Sequence, residues 1–221
     1  MPATLYGANV SPFVRKVRAY LTLKGIDYAL EPVNPFDPPA GYRDISPLGK
    51  IPAWRDDEVT LADSTVITLY LERRHPTPPL YPRDDAAWAR ALWLEEYIDS
   101  GFAPKAGGGV FFPLVLGPMM QQPVTDEVRA SVEKVIVEDL QPMWAYLESQ
   151  LGEREFFVGD ALSIADLAVA SIHVNLWHAG VDVDAAAYPR LAAFLARQFE
   201  GAAFKPLIDE EAGTWSRRDN A

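Results

Sequence analysis

The alternation of apolar and polar positions divides the 221 residues into two kinds of territory. In the first, short apolar runs alternate with helical ones. Thr4-Leu5-Tyr6 predicts a strand, and Ala8-Asn9-Val10 a loop. Ser11-Pro12-Phe13 predicts a helix start, with serine at the N-cap and proline at the first helical position. Phe13, Val14, Val17, Tyr20 and Leu21 come next at helical spacing, and Gly25 ends the helix. Tyr28-Ala29-Leu30 predicts a second strand, the proline-rich stretch 32–39 a loop, and residues 40–46 one irregular helical turn. Two more short strands, Ile51–Trp54 and Val59–Leu61, flank an Asp56-Asp57 turn. Asp63-Ser64 then opens an amphipathic run with Val66, Ile67, Leu69, Tyr70 and Leu71 on or near one face.

The predicted order is βαβ, then α, then ββα. With helices on both faces of a small mixed sheet, it suits a thioredoxin-like α/β domain over residues 1–78. Pro76, Pro78, Pro79 and Pro82 stiffen the chain at the end of this domain, and residues 79–85 read as a linker. Beyond it the pattern is helical only, predicting an all-α C-terminal domain over residues 86–221. Ala86–Ser100 is one helix, with Leu92, Trp93, Glu96 and Tyr97 on adjacent turns. Phe102–Pro123 reads as an apolar loop broken by glycine and proline. Thr125–Leu151 is a long helix capped by Thr125. Ser163-Ile164-Ala165-Asp166 is a capping box opening an apolar helix to Ala179, and Pro189 opens another to Gln198. Trp215 stands in a polar tail.

Composition narrows the function classes. The chain has no cysteine, so it offers no disulfide, thiolate metal ligand or nucleophilic thiol of its own. Its start, Met1-Pro2-Ala3-Thr4, lacks the basic region and apolar core of a signal peptide. The apolar stretch Val110–Met120 is broken by Pro113, Gly117 and Pro118 and is too short to span a bilayer. A soluble, cytoplasmic protein is expected. The net charge of -11 makes nucleic acid and anionic membranes poor partners. That charge is uneven: residues 1–78 are neutral, and residues 79–221 carry all of the excess. The neutral part is the better host for an anionic ligand. There is no P-loop, dinucleotide fingerprint or nucleophile elbow. His173 and His178 are five apart, off a shared helix face, and no metal site is expected.

The chemistry concentrates in Ser46-Pro47-Leu48-Gly49-Lys50-Ile51-Pro52-Ala53-Trp54, with Leu61-Ala62-Asp63-Ser64 about ten residues later. A proline at the strand start leaves neighbouring backbone groups free for a peptide-like ligand. A helix N-terminus carrying a hydroxyl is a carboxylate site. Gly-Lys-Ile-Pro, a two-strand excursion and an acid-serine pair opening a helix resemble the glutathione site of the glutathione transferases. Phe157-Val158-Gly159-Asp160 and then Ser-Ile-Ala-Asp resemble the folding-critical capping box of their helical domain, here Ser163 and Asp166. The similarity thus spans nearly the whole chain and implies glutathione transferase architecture.

The resemblance implies a function and a set of roles. Ser11-Pro12-Phe13 resembles the Ser-Pro-Phe of serine-type, tau- or theta-like transferases, in which the serine hydroxyl donates to the glutathione thiolate. Ser11 is accordingly the candidate catalytic residue, although an N-cap role competes for its hydroxyl. Tyr6 and Asn9 are rival activators. Ser64 is implied to bind the γ-glutamyl carboxylate and Asp63 to face the α-amino group, where the family more often has glutamate. Ile51 is implied to pair its backbone with the cysteinyl part beside a cis Pro52, and Phe13 is a candidate both for the glutathione site and, as an apolar residue, for the second-substrate pocket. Lys50 either reaches the glycyl carboxylate or is a solvated turn lysine. Phe111, Phe112, Met119 and Trp215 are candidates for the second-substrate pocket. The implied activity adds glutathione, as co-substrate, to an apolar electrophile in detoxification. The alternatives are a glutathione-dependent disulfide reductase or dehalogenase, or a non-catalytic transferase-like binding module. A homodimer is implied as well, with Arg73 and Arg74 facing Glu95, Glu96 or Asp99 of a partner, whose acids also approach the glutathione amino group.

Overall fold

Strands of three residues turn successive side chains to opposite faces of the sheet, and here that alternation sorts the N-terminal part of the chain into two layers of contacts. The computed structural model describes residues 3–218. Strands β1 (Thr4–Tyr6), β2 (Ala29–Glu31), β3 (Ala53–Arg55) and β4 (Thr60–Ala62) form a mixed sheet in the order β2-β1-β3-β4. β1 is parallel to β2, and the β1–β3 and β3–β4 pairs are antiparallel. The register aligns Tyr6, Ala53 and Ala62 on one face and Leu5, Trp54 and Leu61 on the other. The first face packs on α2 (Tyr42–Ile45) through Tyr42 and Val33. On the other, Leu5 and Trp54 are fully buried. Helices α1 (Pro12–Lys24) and α3 (Ser64–Arg74) pack on each other, burying Val14, Val17, Leu21, Ile67 and Leu71.

The predicted βαβ-α-ββα order is the one observed, with β1 starting at Thr4 as expected and the other strand starts displaced by one or two residues. β3 begins at Ala53 because Pro52, on a cis peptide after Ile51, has no N–H to give the ladder. A half-buried cluster joins the ends of α1 and α3. The Glu72 carboxylate accepts from Tyr20 Oη at 2.5 Å and pairs with Lys24 Nζ at 2.7 Å, and Lys24 also donates to the carbonyls of His75 and Pro78. Burial, together with this carboxylate, pushes the Tyr20 phenol far above its ordinary range.

The chain divides into two compact units between Tyr81 and Pro82, and Leu80 is tied back to Glu72 within the first. The second unit is built on α9 (Ile164–His178), almost all of whose residues are buried. Around it lie α4 (Asp85–Glu96), α10 (Pro189–Glu200) and α11 (Lys205–Trp215). The expected loop over 102–123 is instead helical as far as Met119. After α4 come a π-helical stretch Tyr97–Phe102, α5 (Ala103–Ala106), a second π-helical stretch Gly107–Leu116 and α6 (Gly117–Met119). Pro104 and Pro118 closely follow π-helical stretches and Pro113 lies within one, where the register already departs from the α ladder. Val110, Phe111 and Val115 are buried along this stretch, and that burial outweighs the glycines. Gly109 is needed for close approach, since a Cβ there would lie 2.8 Å from Val135 Cγ1.

The helix expected over 125–151 is α7 (Asp126–Val135), a third π-helical stretch Ile136–Leu140 and α8 (Gln141–Leu151), capped at Thr125 as anticipated. α11 carries no clear signal in the sequence, because its apolar positions are sparse. Among the described residues no helix is long and apolar enough to cross a membrane.

Candidate functional site

Three backbone features of the first unit, each fixed by local chemistry, converge. The first is the start of α1. Ser11 is the N-cap in extended conformation, and its Oγ accepts from Val14 N–H at 3.4 Å. Capping uses a lone pair and leaves the hydroxyl proton, which has no acceptor among the described residues. Capping and donation to an anion therefore do not compete, contrary to the expectation from sequence. Gly7 lets the preceding loop lie on this helix, because a Cβ there would sit 2.4 Å from Val14 and 3.5 Å from Ile51.

The second is the turn before β3. The Lys50 carbonyl accepts from both Tyr42 Oη (2.9 Å) and Ser46 Oγ (2.8 Å), which fixes the backbone entering the cis Ile51–Pro52 bond. The Ile51 N–H and C=O take no hydrogen bond among the described residues. The Lys50 side chain is exposed and makes no ion pair there.

The third is the start of α3. Asp63, not Ser64, is the N-cap: its Oδ1 accepts from the N–H groups of Thr65 (2.9 Å) and Val66 (3.2 Å). Asp63 holds φ at +83°, an unusual conformation for a residue with a side chain. Its Oδ2 is uncommitted among the described residues, so the short aspartate caps the helix and still presents an oxygen. Ser64 is buried at the first helical position, with both its N–H and its Oγ–H unpaired among the described residues. Buried Lys16 of α1 reaches Thr65 Oγ1 at 3.4 Å, which brings the first turns of α1 and α3 together.

Asp56, read from sequence only as a turn residue, ties the β3–β4 turn to α3. Its Oδ2 accepts from Trp54 Nε1 (3.0 Å) and Tyr70 Oη (2.8 Å), and its Oδ1 from the N–H groups of Glu58 and Val59 (2.9 Å each). Partial burial opposes ionisation, but these donors outweigh it and hold the carboxyl at about 2. Nothing in the residue pattern distinguishes such a hub from a solvated turn acid.

The remaining candidates scatter. Tyr6 packs against Tyr42, ring centroids 6.4 Å apart, with the Arg55 guanidinium over its ring at 5.8 Å. Asn9 lies in the turn before Ser11, and Phe13 is half-buried in the first turn of α1. Phe111 is buried in the core of the second unit, Phe112 is half-buried beside it, Met119 is exposed at the end of α6, and Trp215 is half-buried at the end of α11. His173 and His178 are both buried, so neither is a surface histidine. His173 Nδ1 faces the Val169 carbonyl at 2.7 Å and its Nε2 accepts from Trp144 Nε1 at 3.0 Å, so the proton is on Nδ1. Burial depresses its pKa to about 4. Among the described residues no group of three or more His, Cys, Asp or Glu is gathered to hold a metal. Asp166 closes the capping box from a fully buried position, accepting from the N–H groups of Phe157 (2.9 Å) and Ser163 (2.8 Å) and from the Ser163 hydroxyl (2.7 Å). Burial nonetheless pushes its carboxyl up to about 6 against those donors.

A small four-stranded mixed sheet with helices and a cis-proline turn, joined in sequence to an all-helical unit, defines a two-unit class of fold. Comparison with known proteins makes the class specific. Residues 5–79 match the family model described as Glutathione S-transferase, N-terminal domain, and residues 85–197 the corresponding C-terminal domain. A glutathione S-transferase of Triticum aestivum is 32% identical over 189 residues, covering 85% of this chain and 84% of the relative. Maleylacetoacetate isomerase of Rattus norvegicus is 28% identical over 182 residues, covering 80% and 78%. A glutathione S-transferase of Methylobacterium radiotolerans, solved in complex with glutathione sulfonate, superposes with a TM-score of 0.73 at 25% identity, covering 94% and 95%. The chain belongs to the glutathione S-transferase family.

Proposed function

We propose that the protein is a glutathione transferase that binds the tripeptide on its first unit, ionises the thiol and adds it to an electrophile with an apolar body. The observation that carries this reading is the set of uncommitted donors and acceptors, which corresponds group by group to γ-glutamyl-cysteinyl-glycine. Ser64 N–H and Oγ–H suit the γ-glutamyl carboxylate at a helix N-terminus, where the dipole favours an anion. Asp63 Oδ2 suits the α-amino group, and the Ile51 backbone suits the cysteinyl peptide. Exposed Lys50 stands one residue away for the glycyl carboxylate. The Ser11 hydroxyl proton at the start of α1 suits a thiolate. A hydrogen bond to the charged sulfur and the positive end of a helix both lower a thiol pKa, which ordinarily sits near 8.5. The cytoplasm, where glutathione is kept reduced, is the compartment that fits.

A second reading has one specific support, the maleylacetoacetate isomerase among the relatives: the same thiolate would add reversibly to a conjugated diacid and release its isomer. The lack of any cysteine weighs against a mixed-disulfide mechanism through a protein thiol. Calorimetric titration with glutathione, and then assays with a panel of electrophiles and with a cis-enedioate, separate these readings. Absence of glutathione binding would leave only the non-catalytic module.

The proposed assembly is a homodimer of about 49 kDa, twice the 24.5 kDa chain. Two of the expected partner contacts need revision. Arg74 pairs with Glu58 of its own chain, and Glu95 is completely buried, so exposed Arg73 and Glu96 and half-buried Asp99 remain to face a partner. Light scattering at micromolar concentration tests this, and a monomer with full glutathione affinity would refute it.

A further inference from the structure

A groove on the second unit, between α9, α10 and α11, is used by none of the chemistry above. Small side chains open it. Ala192 and Ala196 sit one turn apart on α10, while Trp177, Leu195, Phe199 and Ile208 supply apolar walls. Its volume, about 350 Å³, lies within the range of small-molecule sites. His173 lines the floor, but both its ring nitrogens are already engaged, so it offers a ligand only ring surface.

The rim is charged, and most of its charges are matched. Asp182 takes a two-point bond from Arg218 (2.9 and 2.7 Å), whose guanidinium lies over the Trp177 ring at 5.0 Å. Lys205 pairs with Asp209 at 2.9 Å. Glu200 differs: its side chain makes no ion pair or hydrogen bond among the described residues. Its charge is felt at Lys205, but that ammonium is already held by Asp209. Glu200 is also the last residue of α10, where the helix carbonyls add partial negative charge. The groove therefore combines an apolar wall with a carboxylate at its edge that has no ion-pair partner of its own, and a carboxylate ligand is disfavoured.

We propose that this groove binds a hydrophobic amine, with an aromatic or alkyl body against Trp177, Leu195 and Phe199 and its ammonium group at Glu200. The groove uses none of the residues proposed to hold glutathione and does not depend on the reading of that site. The test is calorimetric titration of the full chain with 2-phenylethylamine, with 3-phenylpropionate as an anion of similar size, and with neutral 2-phenylethanol, while tracking the Trp177 indole N–H resonance. The amine is expected to bind at least about tenfold tighter than the anion and to move the Trp177 resonance. Glu200→Gln should lower amine affinity to that of the alcohol and leave the alcohol unchanged. Ala196→Phe, filling the groove, should abolish binding of both without altering glutathione affinity. Should Ala196→Phe fail to fold, Ala192→Leu serves the same purpose. Anion binding as tight as amine binding, an unmoved Trp177 resonance, or a filled groove that still binds the amine would each overturn the proposal.

Discussion

Ser11 and Ser64 both stand at the start of a helix, yet their hydroxyls are committed differently. Ser11 spends a lone pair on a long cap bond and keeps its proton, whereas Ser64 sits one residue inside its helix and leaves the capping to Asp63. Ser11→Ala should therefore cost at most about 1 kcal/mol of stability, since the 3.4 Å cap bond is weak. On the proposed function it should raise the pKa of bound glutathione and lower the conjugation rate at neutral pH. The pH–rate profile checks this, and an unshifted profile would move the role to Asn9 or Tyr6. Ser64→Ala should raise KM for glutathione by roughly tenfold or more, the worth of one hydrogen bond to a charged group, with little change in kcat. The carboxylate is remote from the sulfur and is held equally in ground and transition states, so a loss confined to kcat would refute this placement.

At the scale of elements, carboxylates set where secondary structure begins and how it is joined. Asp56 couples the β3–β4 turn to α3, and Glu72 couples the ends of α1 and α3. Asp166 orders the approach to α9 by holding the N–H groups of residues 157 and 163. Asp166→Ala strands those buried donors and should destabilise the protein by about 2–4 kcal/mol, read as a lower denaturation midpoint. Glutathione affinity of the molecules that remain folded should be unchanged. Normal unfolding with lost activity would contradict the assignment of Asp166 to folding.

At the scale of the whole molecule, two buried groups give opposite dependences of stability on pH. His173 is depressed from 6.5 to about 4, so its contribution is complete above pH 6.5 and is lost as pH falls through about 4. Asp166 is raised from 3.8 to about 6, so its contribution is complete below pH 3.8 and is lost as pH rises through about 6. Between these limits the two slopes largely offset each other. His173→Gln should therefore lose its disadvantage relative to the parent protein as pH falls from 7 to 4, by up to about 3 kcal/mol. The destabilisation caused by Asp166→Ala should grow over the same interval. Denaturant titrations at pH 7, 5.5 and 4 measure both, and parallel curves for parent and His173→Gln would show that His173 does not titrate in this window.

Much of the fold was legible in the residues themselves, because its signals are local. Caps, prolines and alternation act over a few positions, so Ser11, Thr125, Ser163 with Asp166, and the short strands appeared close to where they stand. The candidate site was legible for the same reason: its groups are backbone atoms and hydroxyls at helix starts and a proline turn, all set by neighbouring residues. What the tertiary structure decided depends on burial and on partners distant in sequence. Burial of Val110, Phe111 and Val115 made a helical path from a segment whose glycines and prolines signal a loop. The hub role of Asp56 rests on Tyr70, fourteen positions away, and the burial of Glu95 takes it away from the partner contact that the implied dimer expected of it. The hydrogen bonds around Ser11 and Asp63 then decided what no spacing can express, namely which lone pairs and protons are occupied within the fold and which remain available to a ligand.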